Sequence, residues 1–244
     1  MMAAMEQRSA GTWPSPITAA SLVGGVVGIG EVVPDGDDVW WSELRPEEQG
    51  RTVLVRWRDG DRLDVTPPGS NVRTSVHEYG GGAWWVRDGV VFYVDFDDQR
   101  LRRTDAGGDP VLLSPDPAEA RALRFADGRV TPDGRWFVCV HEQHGPDLAE
   151  AANSLVAVAT DGSMRLLPLA TGADFYAAPR ISPDGRQVAW IQWMHPNMPF
   201  DSTELWVADL ADGRVRSEEH TSELQSLTNL VCRRRRGKRG GGGG

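Results

Sequence analysis

Lysine is almost missing from this chain. Of its 26 basic residues, 25 are arginine and only Lys238 is lysine. Arginine codons are GC-rich and lysine codons AT-rich, so a GC-rich genome is the simplest reading. Cysteine is scarce as well. Cys139 and Cys232 are the only two, which excludes the disulfide framework of a small secreted domain. Cys139 sits in the apolar run WFVCV and is expected to be a buried, inert thiol. Long uncharged runs are also lacking. Ile17–Gly30 has fourteen residues, too few to cross a bilayer, and it lacks the basic segment and cleavage site of a signal peptide. A cytoplasmic protein with no membrane partner is expected.

The basic residues are unevenly spread. Segment 216–244 holds seven of the 26 basic residues and three of the 35 acidic ones, which leaves a net charge of −13 on residues 1–215. So acidic a body excludes nucleic acid as a partner, because phosphate contacts need clustered Lys and Arg. With 40% apolar and 25% charged residues, the chain is otherwise an ordinary globular protein.

Catalytic motifs are absent. No serine stands in a G-x-S-x-G elbow; Ser70 and Ser163 read as turn residues. GGVVGIG (24–30) does not fit G-x-G-x-x-G and reads as a strand edge or close-packed backbone. DFDDQR (95–100) lacks the Gly and distal Glu of a calcium loop. His141 and His144 follow strand-like sequence, where helical spacing has no meaning, and zinc needs a further ligand. No catalytic residue, metal site or cofactor is expected.

What is present is a repeat. Asp-Gly turns between apolar runs recur in VVPDGDDVWW (32–41), WWVRDGVVFYV (84–94), RVTPDGRWFVCV (129–140) and RISPDGRQVAWIQW (180–193). Their glycines are Gly36, Gly89, Gly134 and Gly185, spaced by 53, 45 and 51 residues. Asp-Gly is a hairpin signal, since both central positions of a type I′ turn take positive φ. A second strand pair follows each turn, at 52–66, 99–114, 154–169 and 203–215. Four strands per roughly 50 residues is the period of a propeller blade. The predicted fold is all-β: a β-propeller fragment of about four blades, an incomplete ring. Short helical turns are expected only at 117–123 and 147–152. The expected organisation is an N-terminal extension (1–16), a partial propeller (17–215) and a tail (216–244). The tail begins RSEEHTSELQS, which reads back through the genetic code as a sequence similar to a common sequencing-library adapter, and continues as a basic, Gly-rich stretch. It is expected to be adapter-derived or disordered and to carry no function.

Two segments carry more than turn chemistry. NVRTSVHEYGGGAWW (71–85) crowds charged and aromatic groups beside three glycines, and WMHPNMPFDSTELW (193–206) is a long connection rich in Pro and Met. Arg73, His77, Glu78, Tyr79, His195 and Asn197 are the candidate substrate-facing residues. The competing reading makes the first segment a blade-entry loop tied to backbone groups, and the second a packed loop.

These two segments, with GTWPSPIT (11–18), DQRLRR (98–103) and PRISPDGRQVAWIQW (179–193), resemble the N-terminal propeller of bacterial prolyl oligopeptidase family serine peptidases, in the subgroup labelled dipeptidyl aminopeptidase or acylaminoacyl peptidase. The resemblance covers about residues 11–215. It implies a propeller that caps a C-terminal α/β-hydrolase domain and admits short peptides to a Ser-Asp-His triad. No position here matches a triad residue, so the resemblance implies a propeller truncated before its hydrolase domain and a chain inactive alone. A TolB-type propeller, a non-enzymatic protein-binding module, shares the SPDG hairpins and is the alternative.

Overall fold

A computed structural model describes residues 9, 11, 12 and 14–225. Sixteen strands form four separate antiparallel sheets, each a four-stranded meander in chain order. Blade 1 comprises β1 (Gly28–Asp35), β2 (Asp38–Arg45), β3 (Arg51–Arg58) and β4 (Asp61–Asp64). Blade 2 comprises β5 (Trp84–Arg87), β6 (Val90–Val94), β7 (Leu101–Asp105) and β8 (Val111–Leu112). Blade 3 comprises β9 (Leu123–Val130), β10 (Trp136–Gln143), β11 (Ala152–Ala159) and β12 (Leu166–Thr171). Blade 4 comprises β13 (Phe175–Ile181), β14 (Gln187–Trp193), β15 (Ser202–Ala211) and β16 (Arg214–Gln225). The result is an unclosed ring of four propeller blades. β16 takes in residues 216–225, the start of the segment set apart by its composition. Cys232 and the basic run 233–239 lie outside the described residues.

The expected hairpins form, but by three kinds of turn. Asp88 and Gly89 both take left-handed φ, 51° and 77°, as type I′ requires. Between Asp35 and Asp38 only Gly36 is left-handed, at φ 60°. In RVTPDGRWF and RISPDGRQV the connection lengthens to five residues and the left-handed position falls to Gly134 and Gly185, whereas the same tripeptide at Pro34–Gly36 closes a two-residue turn with Pro34 paired in β1. The carboxylates lock both turns alike. Asp133 accepts from the Thr131 hydroxyl at 2.5 Å and the Arg135 N–H at 3.1 Å; Asp184 accepts from the Ser182 hydroxyl at 2.6 Å and the Arg186 N–H at 3.1 Å.

The core is three layers between blades. Trp40, Leu54, Trp84 and Tyr93 pack between blades 1 and 2. Phe92 stacks on Phe137 at 4.8 Å between blades 2 and 3, with Leu101, Phe125 and Cys139 around them. Trp136, Val138, Leu155, Tyr176 and Trp190 fill the layer between blades 3 and 4. Successive side chains of a strand point to opposite faces, so the adjacent residues Val138 and Cys139 serve different layers. Cys139 is fully buried, and burial pushes its thiol pKa up.

The first strand of each blade meets the first strand of the next, as β1 meets β5, β5 meets β9 and β9 meets β13. One residue on or just before each of these strands is left-handed: Glu31, Gly82, Asp127 and Ala178, at φ 21°, 61°, 50° and 54°. The N–H of each later one is taken by the one before it. Gly82 N–H donates to Glu31 Oε1 at 3.0 Å, Asp127 N–H to Gly82 O at 2.7 Å, and Ala178 N–H to Asp127 Oδ2 at 2.6 Å. This hydrogen-bonded collar joins all four blades.

Among the described residues, helix is confined to one short α-helix, α1 (Ala19–Val23), and a 3₁₀ turn at Pro46–Glu48. The turns expected at 117–123 and 147–152 are non-helical. α1 lies instead in the uncharged stretch before β1, where Thr18 and Ser21 form a reciprocal capping box. No helix among the described residues is long and apolar enough to cross a membrane.

Candidate functional site

Because every blade is an up-and-down meander, the Asp-Gly turns all fall at one end of the blades and the longer connections at the other. Segments 65–83 and 194–201 are both on the long-loop end. All six residues singled out in the sequence therefore share one face.

The loop before β5 is strained. His77 and Glu78 take left-handed φ of 55° and 66°, and Gly80, Gly81 and Gly82 follow at 73°, 107° and 61°. A non-glycine residue in this region costs about 1 kcal/mol or more, so other contacts must hold it. Glu142 on β10 supplies one, its Oε2 accepting the His77 N–H at 2.7 Å. Arg124 on β9 supplies more. Its Nη1 donates to Ser75 O at 2.8 Å, Glu78 Oε1 at 2.7 Å and Glu142 Oε1 at 3.2 Å. The fully buried Gln99 accepts the Ser75 N–H at 2.7 Å and donates to Phe96 O at 3.0 Å. The glycines divide into two kinds. A Cβ at Gly80 would stand 2.4 Å from Thr74 O, and one at Gly82 2.7 Å from Asp127 Cα, whereas one at Gly81 would meet nothing within 4 Å. Gly80 and Gly82 are thus required by close backbone approach, and Gly81 by its φ alone.

The His77 ring is set edge-on to Phe175 and Trp193, with centroids at 5.4 and 5.9 Å, and its Nδ1 lies 3.4 Å from the Tyr79 hydroxyl. Burial lowers the His77 pKa against the opposing pull of Glu142 and Asn153. The Arg124 hydrogen bond holds the Glu78 carboxyl below its ordinary range. Tyr79 is 76% exposed and offers its ring to solvent. Arg73 stands apart from these, with its guanidinium over the Phe96 ring.

His77 meets the second segment only at its base, through Trp193. Beyond it, His195 N–H donates to Asp174 Oδ2 at 2.8 Å and Asn197 N–H to Met194 O at 3.0 Å. Among the described residues, no hydrogen bond joins the His195 or Asn197 side chain to the His77 cluster. Met194, Met198 and Phe200 make this loop an exposed apolar surface.

The two histidines of HEQH separate, because β10 alternates its side chains. His141 is buried against Phe125, and burial lowers its pKa to about 4. His144 instead pairs with Glu142. Glu78, Glu142 and His144 bring ligand atoms within 4.8 Å of one another. The Arg124 guanidinium already occupies the space between the two carboxylates, so this trio does not fit a metal ion. Arg124, Glu142, Gln99 and Phe96 were not foreseeable as site residues, because they come from other strands and loops. Only the strand-like alternation around Glu142 hinted at its separation from His141.

No protein-family model matches the chain, and no curated protein does. Solved structures do. A Mycobacterium tuberculosis puromycin-hydrolyzing peptidase aligns with a TM-score of 0.80 and 39% identity, over 88% of this chain and 35% of that one. A puromycin hydrolase aligns with a TM-score of 0.79 and 35% identity, over the same shares of 88% and 35%. A putative TolB from Agrobacterium tumefaciens shares the fold alone, with a TM-score of 0.52 and 16% identity over 78% of this chain and 62% of that one. The first two alignments match the chain to the N-terminal propeller portion of puromycin-hydrolyzing peptidases, and a prolyl endopeptidase and an acylaminoacyl peptidase share the fold alone, at 11% and 10% identity. The chain spans 35% of the length of those two puromycin-hydrolyzing peptidases.

Proposed function

We propose that the chain is the substrate-gating propeller of a serine peptidase that acts on short peptides in the cytoplasm, with the catalytic α/β-hydrolase domain supplied by other residues of the full-length parent. The observation that carries this reading is the strained His77–Gly82 loop. It is pinned by Glu142 and Arg124 and placed on one face with the Met- and Phe-bearing loop 194–201. A rigid rim of this kind admits narrow, extended ligands and turns folded proteins away. The names of the similar structures make an aminoacyl amide such as puromycin the first substrate to try. A TolB-type binding role rests on likeness of fold alone and is the weaker reading.

The purified chain is expected to turn over neither puromycin nor an aminoacyl-nitroanilide. The reading frame continued past codon 215 is expected to reach a G-x-S-x-G elbow and yield turnover blocked by a serine-directed phosphonate. Phosphonate-sensitive turnover by the chain alone, or a frame without such an elbow, overturns the proposal.

A further inference from the structure

Most arginines in the blades are neutralised by a neighbouring carboxylate, among them Arg45, Arg58, Arg100, Arg102 and Arg124. Two on the long-loop face are not. Among the described residues, neither Arg73 nor Arg121 makes an ion pair. Both are held by the same ring instead, their guanidinium carbons 4.7 and 4.6 Å from the Phe96 centroid. Stacking on a ring positions a guanidinium without cancelling its charge, and it leaves the in-plane N–H donors free for a planar anion. Measured through that centroid, the two guanidinium carbons lie within about 9 Å of each other, close enough for their charges to favour a nearby anion.

The platform is built rather than incidental. Phe96 N–H donates to Asn71 O at 2.7 Å, and the buried Gln99 ties Phe96 O to Ser75 N–H. The ring and the Arg73 loop therefore move as one unit. Arg121 takes a left-handed φ of 63° and spends one donor on Ser75 Oγ at 3.2 Å. The acidic group that bears on Arg121 is Glu78, whose carboxylate is engaged by Arg124. Asp95 and Asp97 flank Phe96 along the chain, and among the described residues neither forms an ion pair with Arg73 or Arg121.

We infer that Arg73 and Arg121, stacked on Phe96, form an oxyanion-binding site that takes the terminal carboxylate of a short peptide. The identity of the oxyanion as a peptide carboxylate rests on the function proposed above; the site itself does not, and a free phosphate has the same chemistry. The test is calorimetric titration of the chain with trialanine, with trialanine amide and with inorganic phosphate, at low and high salt. Trialanine is expected to bind at least tenfold more tightly than its amide, with affinity falling as salt rises. Arg73→Met and Arg121→Met are each expected to lose that preference, whereas Arg186→Met, in a turn at the other end, keeps it. Phe96→Leu retains both charges and is expected to weaken binding severalfold. Unchanged melting temperatures separate these effects from misfolding. Arginine-dependent binding of phosphate with no binding of trialanine keeps the oxyanion site and sinks the peptide reading. Equal binding of acid and amide, no binding of any anion, or anion binding that survives both arginine variants overturns the inference.

Discussion

The two ends of the blades are built by opposite rules. At the turn end, connections run from two to six residues and are stitched to one another across blades. The Asp35 carboxylate accepts the Asp88 and Gly89 N–H groups at 3.0 and 2.7 Å, and Arg135 reaches Asp212 at 3.0 Å. At the loop end, connections reach nineteen residues, His77 and Glu78 take left-handed φ in succession, and Tyr79, Met194, Met198 and Phe200 face solvent. One end closes the blade hairpins with glycine and aspartate. The other holds a strained loop surface pinned by side chains from neighbouring strands, Glu142 and Arg124 among them.

Backbone crowding gives the largest expected contrast. Gly82→Ala, which drives a Cβ into Asp127 and breaks the collar, is expected to cost about 4 kcal/mol from overpacking plus φ strain. Gly81→Ala, one residue away in open space, is expected to cost only about 1 kcal/mol. Urea denaturation of both variants checks the difference; equal losses would remove the collar's special role.

The next effect is pH-dependent. The folded-state pKa of His141 lies near 4, below the unfolded value near 6.5. Its burial in neutral form therefore contributes stability that is complete above about pH 6.5 and is lost as pH falls through 4. The full span is about 3 kcal/mol. Melts between pH 7 and pH 4 are expected to show this slope, and His141→Gln to flatten it.

Asp35→Ala, at the turn end, removes the acceptor of two N–H groups and is expected to cost about 2 kcal/mol in denaturation. Tyr79→Ala, at the loop end, is expected to change stability by less than about 0.5 kcal/mol while weakening binding of short peptides. If the turn-end change proved silent and the loop-end change destabilising, the division between the ends would fail.

Much of this was legible along the chain. The Asp-Gly period marked the four blades, since a hairpin turn is a local event and its residues are adjacent. The unbroken apolar run WFVCV marked Cys139 as a buried thiol. The two candidate segments were visible from composition alone, with three glycines in one and Pro and Met in the other. The PDG tripeptide did not reveal the turn type, closing a two-residue turn at Gly36 and five-residue ones at Gly134 and Gly185, and the uncharged segment at Thr18 concealed a capped helix. The contacts that hold the site were not legible. Arg124 lies 46 residues from Glu78, and Glu142 lies 65 residues from His77.

The sequence by itself determined the blade count, the strand order within each blade and the location of the unusual loops, because these depend on neighbours along the backbone. Only the tertiary structure decided that both loops share one face, and that Arg124 rather than a metal balances Glu78 and Glu142. It alone decided that Phe96 carries two arginines. Those outcomes depend on which blade faces which, and blade packing brings together side chains whose proximity no local pattern records.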